Sequence, residues 1–159
     1  MPKPATTWDE VEPAPIVLVT GAERLLAERA VERVIRLARE REAETEVLAL
    51  DGAAYEAGRL GVATSASLFG EPRVVVLSGL EQATDAAFAD VRTYLTSPDD
   101  EVVLVLVHGG GNRGKPVVDA VRAAGATQVQ CDPVKRDADK VAFVAGELRR
   151  ARRHADQAA

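Results

Sequence analysis

A chain of 159 residues with 47% hydrophobic and 28% charged side chains has the size and composition of one globular domain, able to bury a core without metal or disulfide staples. Its single cysteine, Cys131, excludes an internal disulfide, and 4% aromatic content argues against a base-stacking RNA surface. A net charge of -5 excludes a chain that is basic throughout.

Residues 1–15 carry Pro2, Pro4, Pro13 and Pro15 among Asp9, Glu10 and Glu12. This composition predicts a flexible segment and lacks the apolar stretch of a secretory signal. No run of about 18 apolar residues occurs anywhere, so no membrane-spanning helix and no membrane partner are expected, and a reducing cytoplasm is the expected location.

The first strand is predicted at Ile16–Thr20, a continuous apolar run ending at Gly21, as in a strand buried on both faces. Over Arg24–Arg41 the apolar residues Ala27, Ala30, Val31, Val34 and Ala38 recur at helical spacing, with Glu28, Arg29, Glu32, Arg33, Arg36 and Arg39 on the other side. The cycle repeats with a strand at Val47–Leu50, a helical stretch from Tyr55 to Ala66, a strand at Arg73–Leu77 and a helix from Thr84 to Leu95. A strand at Glu101–Val107, a helix from Pro116 to Ala124 and a weaker strand at Thr127–Cys131 complete the pattern. The alternation predicts an α/β fold, a five-stranded parallel sheet flanked by helices on both faces, spanning residues 16–133. Ligands of such sheets bind beyond the carboxyl ends of the strands.

A last helix is predicted over Asp139–Ala155, with Val141, Ala142, Ala145 and Leu148 on an apolar face that has no obvious partner. Residues 135–154 hold seven basic side chains (Lys135, Arg136, Lys140, Arg149, Arg150, Arg152, Arg153) against Asp137, Asp139 and Glu147. Such a run is a solvated helix face or a phosphate-contacting surface for DNA; a steep loss of affinity with salt marks the second.

The segment Gly109-Gly-Gly-Asn-Arg-Gly114-Lys115 follows a strand, precedes a helix and fits G-x-x-x-x-G-K. Position 116 is Pro where a phosphate loop needs the magnesium-binding hydroxyl of Ser or Thr, and Pro also removes a backbone N–H from the helix start. No strand ends in the acidic pair that would organise a metal. The loop after the first strand, Gly21-Ala-Glu-Arg-Leu-Leu-Ala-Glu28, offers carboxylates and no lysine. A glycine-rich turn, a weak anion or DNA-phosphate contact through Arg113 and Lys115, and a divergent P-loop phosphotransferase or ATPase using Gly109–Lys115 remain as alternatives. His108, His154 and Cys131 have no metal-ligand spacing, and no nucleophile motif is present. No cofactor and no catalytic residue are expected.

Leu68 and Phe69 stand side by side between Ser67 and Gly70, with Pro72 close behind, and this punctuation predicts a helix end. On a helix, adjacent residues are roughly 100° apart, so if one packs inward the other is angled outward. The pair is either a core anchor or an apolar plug for a partner's pocket.

The series Val17-Leu-Val-Thr-Gly-Ala-Glu, Ser67-Leu-Phe-Gly-Glu-Pro-Arg-Val-Val-Val-Leu and Val103-Leu-Val-Leu-Val-His-Gly-Gly-Gly with Gly114-Lys115 resembles the delta subunit of the bacterial DNA polymerase III clamp loader, in particular its actinobacterial form. The resemblance runs from about Ile16 to Arg153 and implies an AAA+ type domain without a working nucleotide site. It implies a non-catalytic component of the DNA polymerase III holoenzyme that binds the beta sliding clamp and holds its interface open for loading onto primed DNA during replication. Other loader subunits, gamma or tau and delta prime, are implied as partners, and primer-template DNA is a further candidate. The family's Leu-Phe pair, which enters a hydrophobic clamp pocket, falls on Leu68 and Phe69, flanked by Ser67 and Gly70. Arg113, Lys115, Arg149, Arg150, Arg152 and Arg153 are the candidate DNA contacts. Residues 134–159 resemble the start of the helical lid domain, so a fragment or a truncated product is expected.

Overall fold

The computed structural model describes residues 4–132 and 137–158. Lys135, Arg136 and the expected boundary at 133/134 lie outside these, as do the side chains of Asp137, Asp139, Lys140, Val141 and His154. Five strands, β1 (Ile16–Thr20), β2 (Glu46–Asp51), β3 (Arg73–Ser78), β4 (Val102–His108) and β5 (Thr127–Gln130), form one sheet in the order β2-β3-β4-β1-β5, with all pairs parallel. The helices are α1 (Arg24–Arg41), α2 (Arg59–Thr64), α3 (Asp85–Thr96), α4 (Lys115–Ala123) and α5 (Asp137–Ala158).

The period-two alternation of strand side chains divides the core into two layers. On one face Leu18, Val75, Leu77, Leu104 and Leu106 pack with Leu60 and Ala63 of α2, Ala87 and Val91 of α3, and Val117, Val118 and Val121 of α4. On the other, Val17, Val19, Val74, Val76, Val105 and Val129 pack with Leu26, Ala27, Ala30, Val34 and Ala38 of α1. β1, β3 and β4 need apolar residues on both faces, which explains their uninterrupted Val and Leu runs.

Three sequence expectations change. The helix expected over Tyr55–Ala66 contracts to the six residues of α2. Gly58, its N-cap, has a φ of +90°, and Tyr55 is held outside the helix by Asp90 of α3. The segment expected to be flexible is docked from Thr6 onward. The Thr6 amide donates to the Gln128 carbonyl at 2.7 Å, and Val11 is fully buried.

The final helix, expected to lack a partner, has one. Phe143 packs on the α1 side of the sheet and meets the Trp8 ring edge-on with centroids 5.7 Å apart. Glu147 and Arg150 face Arg29 and Glu32 of α1. The docked face is therefore Phe143, Glu147 and Arg150 at helical spacing, not Ala142, Ala145 and Leu148.

Candidate protein-interaction site

In the loop beyond β4 the backbone amides that a phosphate would need are bonded within the protein. Gly109 donates its amide to Glu81 Oε2 at 2.8 Å, which places a carboxylate at the first N–H of the G-x-x-x-x-G-K segment. The Gly110 amide donates to Nδ1 of the buried His108 at 3.1 Å, and on the other side of the ring Nε2 donates to the Arg113 carbonyl at 2.7 Å. Lys115 gives its amide to the Asn112 carbonyl. Gly114 has a φ of +78° and abuts the Phe88 ring, which a Cβ would strike. These N–H groups are committed to the protein itself, and the Glu81 carboxylate held at Gly109 repels phosphate.

Beyond β1 the loop backbone lies directly against the end of β5. Gly21 adopts a φ of +133° against the Cys131 backbone, where a Cβ would overlap the carbonyl. The Glu23 amide donates to that same carbonyl at 3.0 Å. The geometry does not favour the phosphotransferase alternative.

Arg113, a candidate phosphate contact, is engaged by α3 and the turn before it. Its Nε and Nη2 donate to the Ala83 carbonyl, its guanidinium lies 5.3 Å from the Phe88 ring centre, and Asp85 is 3.6 Å away. Lys115 is exposed, as are Arg149, Arg152 and Arg153, while Arg150 donates to Glu32 at 2.7 Å. The four arginines share α5, but the structure does not bring them together with Arg113 and Lys115 of the β4–α4 loop and α4 into a described contact. Among the described residues no three His, Cys, Asp or Glu side chains form a metal-holding group. Burial, followed by Asp132 and Glu23, pushes the Cys131 thiol up to about 11, which leaves it a poor nucleophile.

A different picture holds between α2 and β3. Leu68 and Phe69 are 98% and 86% exposed, the two most exposed large apolar side chains among the described residues, followed by Val62 of α2 at 74%. They are not on a helix. α2 stops at Thr64, Ser65 caps it, and the Gly70 amide donates to the Ser67 carbonyl at 3.1 Å, closing a four-residue turn with Leu68 and Phe69 at its two corners. The expectation of a helix end at this pair therefore fails, and of the two alternatives the core anchor does not hold, because both corner residues of the exposed turn project away from the chain.

Local chemistry fixes this turn. Ser67 Oγ accepts the Phe69 amide at 3.3 Å and donates to Glu71 Oε2 at 2.9 Å, and Gly70 takes a φ of +70°. The serines at 65 and 67 compete with the helix for backbone partners and end it before the apolar pair. Sequence reasoning singled out the pair, but missed Arg73, whose Nη1 donates to the Ala63 and Ser65 carbonyls at 3.1 and 2.8 Å. The signal was an arginine at the first position of a strand whose next four residues are Val and Leu.

The chain thus combines a parallel sheet in the order β2-β3-β4-β1-β5 with an exposed apolar turn before β3. The fold is similar to that of the DNA clamp loader delta protein of Bacillus subtilis. The TM-score is 0.59 at 16% sequence identity, over 77% of this chain and 40% of that protein. At this identity the likeness is one of fold, and the chain spans less than half the length of the protein it matches. No protein-family model and no curated protein sequence matches the chain.

Proposed function

We propose that this domain is the clamp-contacting part of a clamp loader delta subunit, and that Leu68 and Phe69 enter an apolar pocket of the beta sliding clamp. The observation that carries this reading is the presentation of two large apolar side chains, almost fully solvated, on adjacent corners of a turn closed by its own hydrogen bonds. A monomeric protein gains nothing by holding such a pair away from its core, whereas a partner's pocket recovers on the order of 3 to 6 kcal/mol from burying them, before the costs of association. The fold similarity to a clamp loader delta protein supports the same assignment.

The domain then works by differential binding, with contact energy favouring a clamp whose interface is strained or open. It contributes no catalytic group of its own to the polymerase III holoenzyme and acts in the cytoplasm with the gamma or tau and delta prime subunits. The exposed Arg149, Arg152 and Arg153 are its candidate contacts with primer-template DNA. Binding of the same organism's sliding clamp to wild type and to the Leu68→Ala, Phe69→Ala double variant tests the reading. Loss of two hot-spot side chains is expected to weaken binding by a hundredfold or more, and undiminished affinity of the double variant overturns the assignment.

A further inference from the structure

The segment that presents Leu68 and Phe69 runs from Ser65 to Pro72, and both its ends meet at one side chain. Arg73 opens β3, where its backbone is pinned by the sheet: its amide donates to the Glu101 carbonyl at 3.2 Å, and the Glu46 amide donates to the neighbouring Pro72 carbonyl at 3.0 Å. From that fixed base the Arg73 guanidinium reaches back to the end of α2, where Nη1 donates to the Ala63 and Ser65 carbonyls. These belong to the group of C-terminal carbonyls that a helix cannot satisfy internally, and a cation there also complements the helix dipole. Glu46 Oε2 lies 3.2 Å from Arg73 Nε as an ion pair, although Nε is not aligned to donate a hydrogen bond to it. The side chain is 16% exposed, compared with the almost complete exposure of the two apolar residues it subtends.

We infer that Arg73 is a positioning residue for the interaction turn: by tying the carbonyl at the start of the 65–72 segment to the strand at its end, it holds Leu68 and Phe69 in the geometry that a partner's pocket accepts. This rests on the interface assignment above and adds to it a residue that touches no partner. Without the tie, the Ser67–Gly70 turn must form on a segment with a free base, and only a fraction of molecules carries it at any moment. Apparent affinity falls in proportion to that fraction. The loss is expected in association, because the rare competent molecules still dock and dissociate as wild type does, whereas truncating Leu68 or Phe69 speeds dissociation.

The test combines the backbone 15N order parameters of the 159-residue chain with its association and dissociation rates on the sliding clamp, for wild type, Arg73→Met and Arg73→Lys. Arg73→Met is expected to lower the order parameters of Leu68–Gly70 from about 0.85 to below about 0.6 while Val74–Leu77 stay rigid. It is also expected to slow association roughly tenfold with dissociation within about twofold of wild type. Arg73→Lys, which keeps the charge but not the fork, should fall between. Wild-type order parameters in Arg73→Met overturn the inference. If Arg73→Met also loosens β3, then Arg73→Lys decides: intermediate order at the turn supports the inference, and wild-type order overturns it. A wild-type chain that fails to bind the clamp sinks the interface assignment instead, and the order parameters still decide whether Arg73 shapes the turn.

Discussion

Arg29 and Glu147, 118 positions apart, meet in a two-point guanidinium–carboxylate pair, with Nε to Oε1 at 2.7 Å and Nη2 to Oε2 at 2.6 Å. Arg29 also donates to Glu32, and Glu32 accepts from Arg150, so the four side chains form an alternating network joining α1 to α5. The hydrogen bonds from Arg29 hold the Glu147 carboxyl below the usual range against an opposing desolvation effect, and the charges of Arg29 and Arg150 add to the lowering. Because the folded value is depressed, the pair's contribution is fully present above the ordinary glutamate pKa of about 4.3 and is lost as pH falls through the lowered value. Trp8, the one tryptophan of the chain, meets Phe143 of α5 edge to face and reports the attachment. Its emission should change during acidification of the wild type, and Glu147→Gln should abolish that pH step and cost on the order of 1 kcal/mol. An identical acid response in the variant counts against the network as the clasp.

The turn bearing Leu68 and Phe69 is expected to be nearly neutral for stability. Replacing both by Ala removes side chains with few protein contacts to lose, so the unfolding free energy should stay within about 0.5 kcal/mol of wild type. Urea unfolding of the double variant checks this. A loss of several kcal/mol would show that the pair packs in solution.

Gly70 occupies the left-handed region, and a Cβ there would meet open space. Gly70→Ala should therefore cost about 1 to 2 kcal/mol of local backbone strain and loosen the turn, whereas Gly70→Asn should be tolerated. Gly114 differs, because a Cβ would also strike the Phe88 ring. Gly114→Ala should be the more destabilising in a thermal melt, and equal losses would contradict the packing at Phe88.

Tyr55 donates its hydroxyl to Asp90 Oδ2 at 2.5 Å and accepts the buried Leu60 amide at 2.7 Å. Burial first, then the bond to Asp90, pushes its pKa up to about 12, and burial raises that of Tyr94. A folded value above the unfolded one gives stability that is complete below about pH 10 and declines as pH rises through the folded value. Phenolate absorbance at alkaline pH should appear only above the ordinary tyrosine range and together with unfolding. Tyr55→Phe should cost about 1 to 3 kcal/mol by stranding the Leu60 amide. Phenolate absorbance rising near pH 10 in the folded chain would contradict this.

Titration with Mg-ATP is expected to give no heat and no thermal shift, because Glu81, His108 and Asn112 already occupy the Gly109, Gly110 and Lys115 amides. Saturable binding would reopen the phosphotransferase reading.

The strands and α1 were legible because they depend on local periodicity: Val17 and Val19 alternate with Leu18 between the two core layers, and Ala27, Ala30, Val34 and Ala38 trace one stripe. The fate of Leu68 and Phe69 was half legible. Their chemistry stood out, but Gly70 and Pro72 point in sequence to a helix end, whereas Ser67 and Gly70 close a turn. Arg73 was opaque because its role depends on two carbonyls at the end of a helix whose length was overestimated. The partner of α5 was hidden for another reason: Arg29 and Glu32 match Glu147 and Arg150 at the same spacing, but complementarity between two exposed helix faces is visible only once their separation in space is known.

All five strands are parallel, so the sheet has a polarity, and Leu68 and Phe69 precede β3 while the loop at Gly109 follows β4. The apolar turn therefore sits at the amino end of the sheet, opposite the carboxyl end where ligands of such folds usually collect. With about 3.3 Å per residue, the six residues of β3 separate the two ends by roughly 20 Å. A protein gripping the turn would therefore approach the sheet from the end opposite the Gly109–Lys115 loop, leaving that loop as exposed as it is in the free domain.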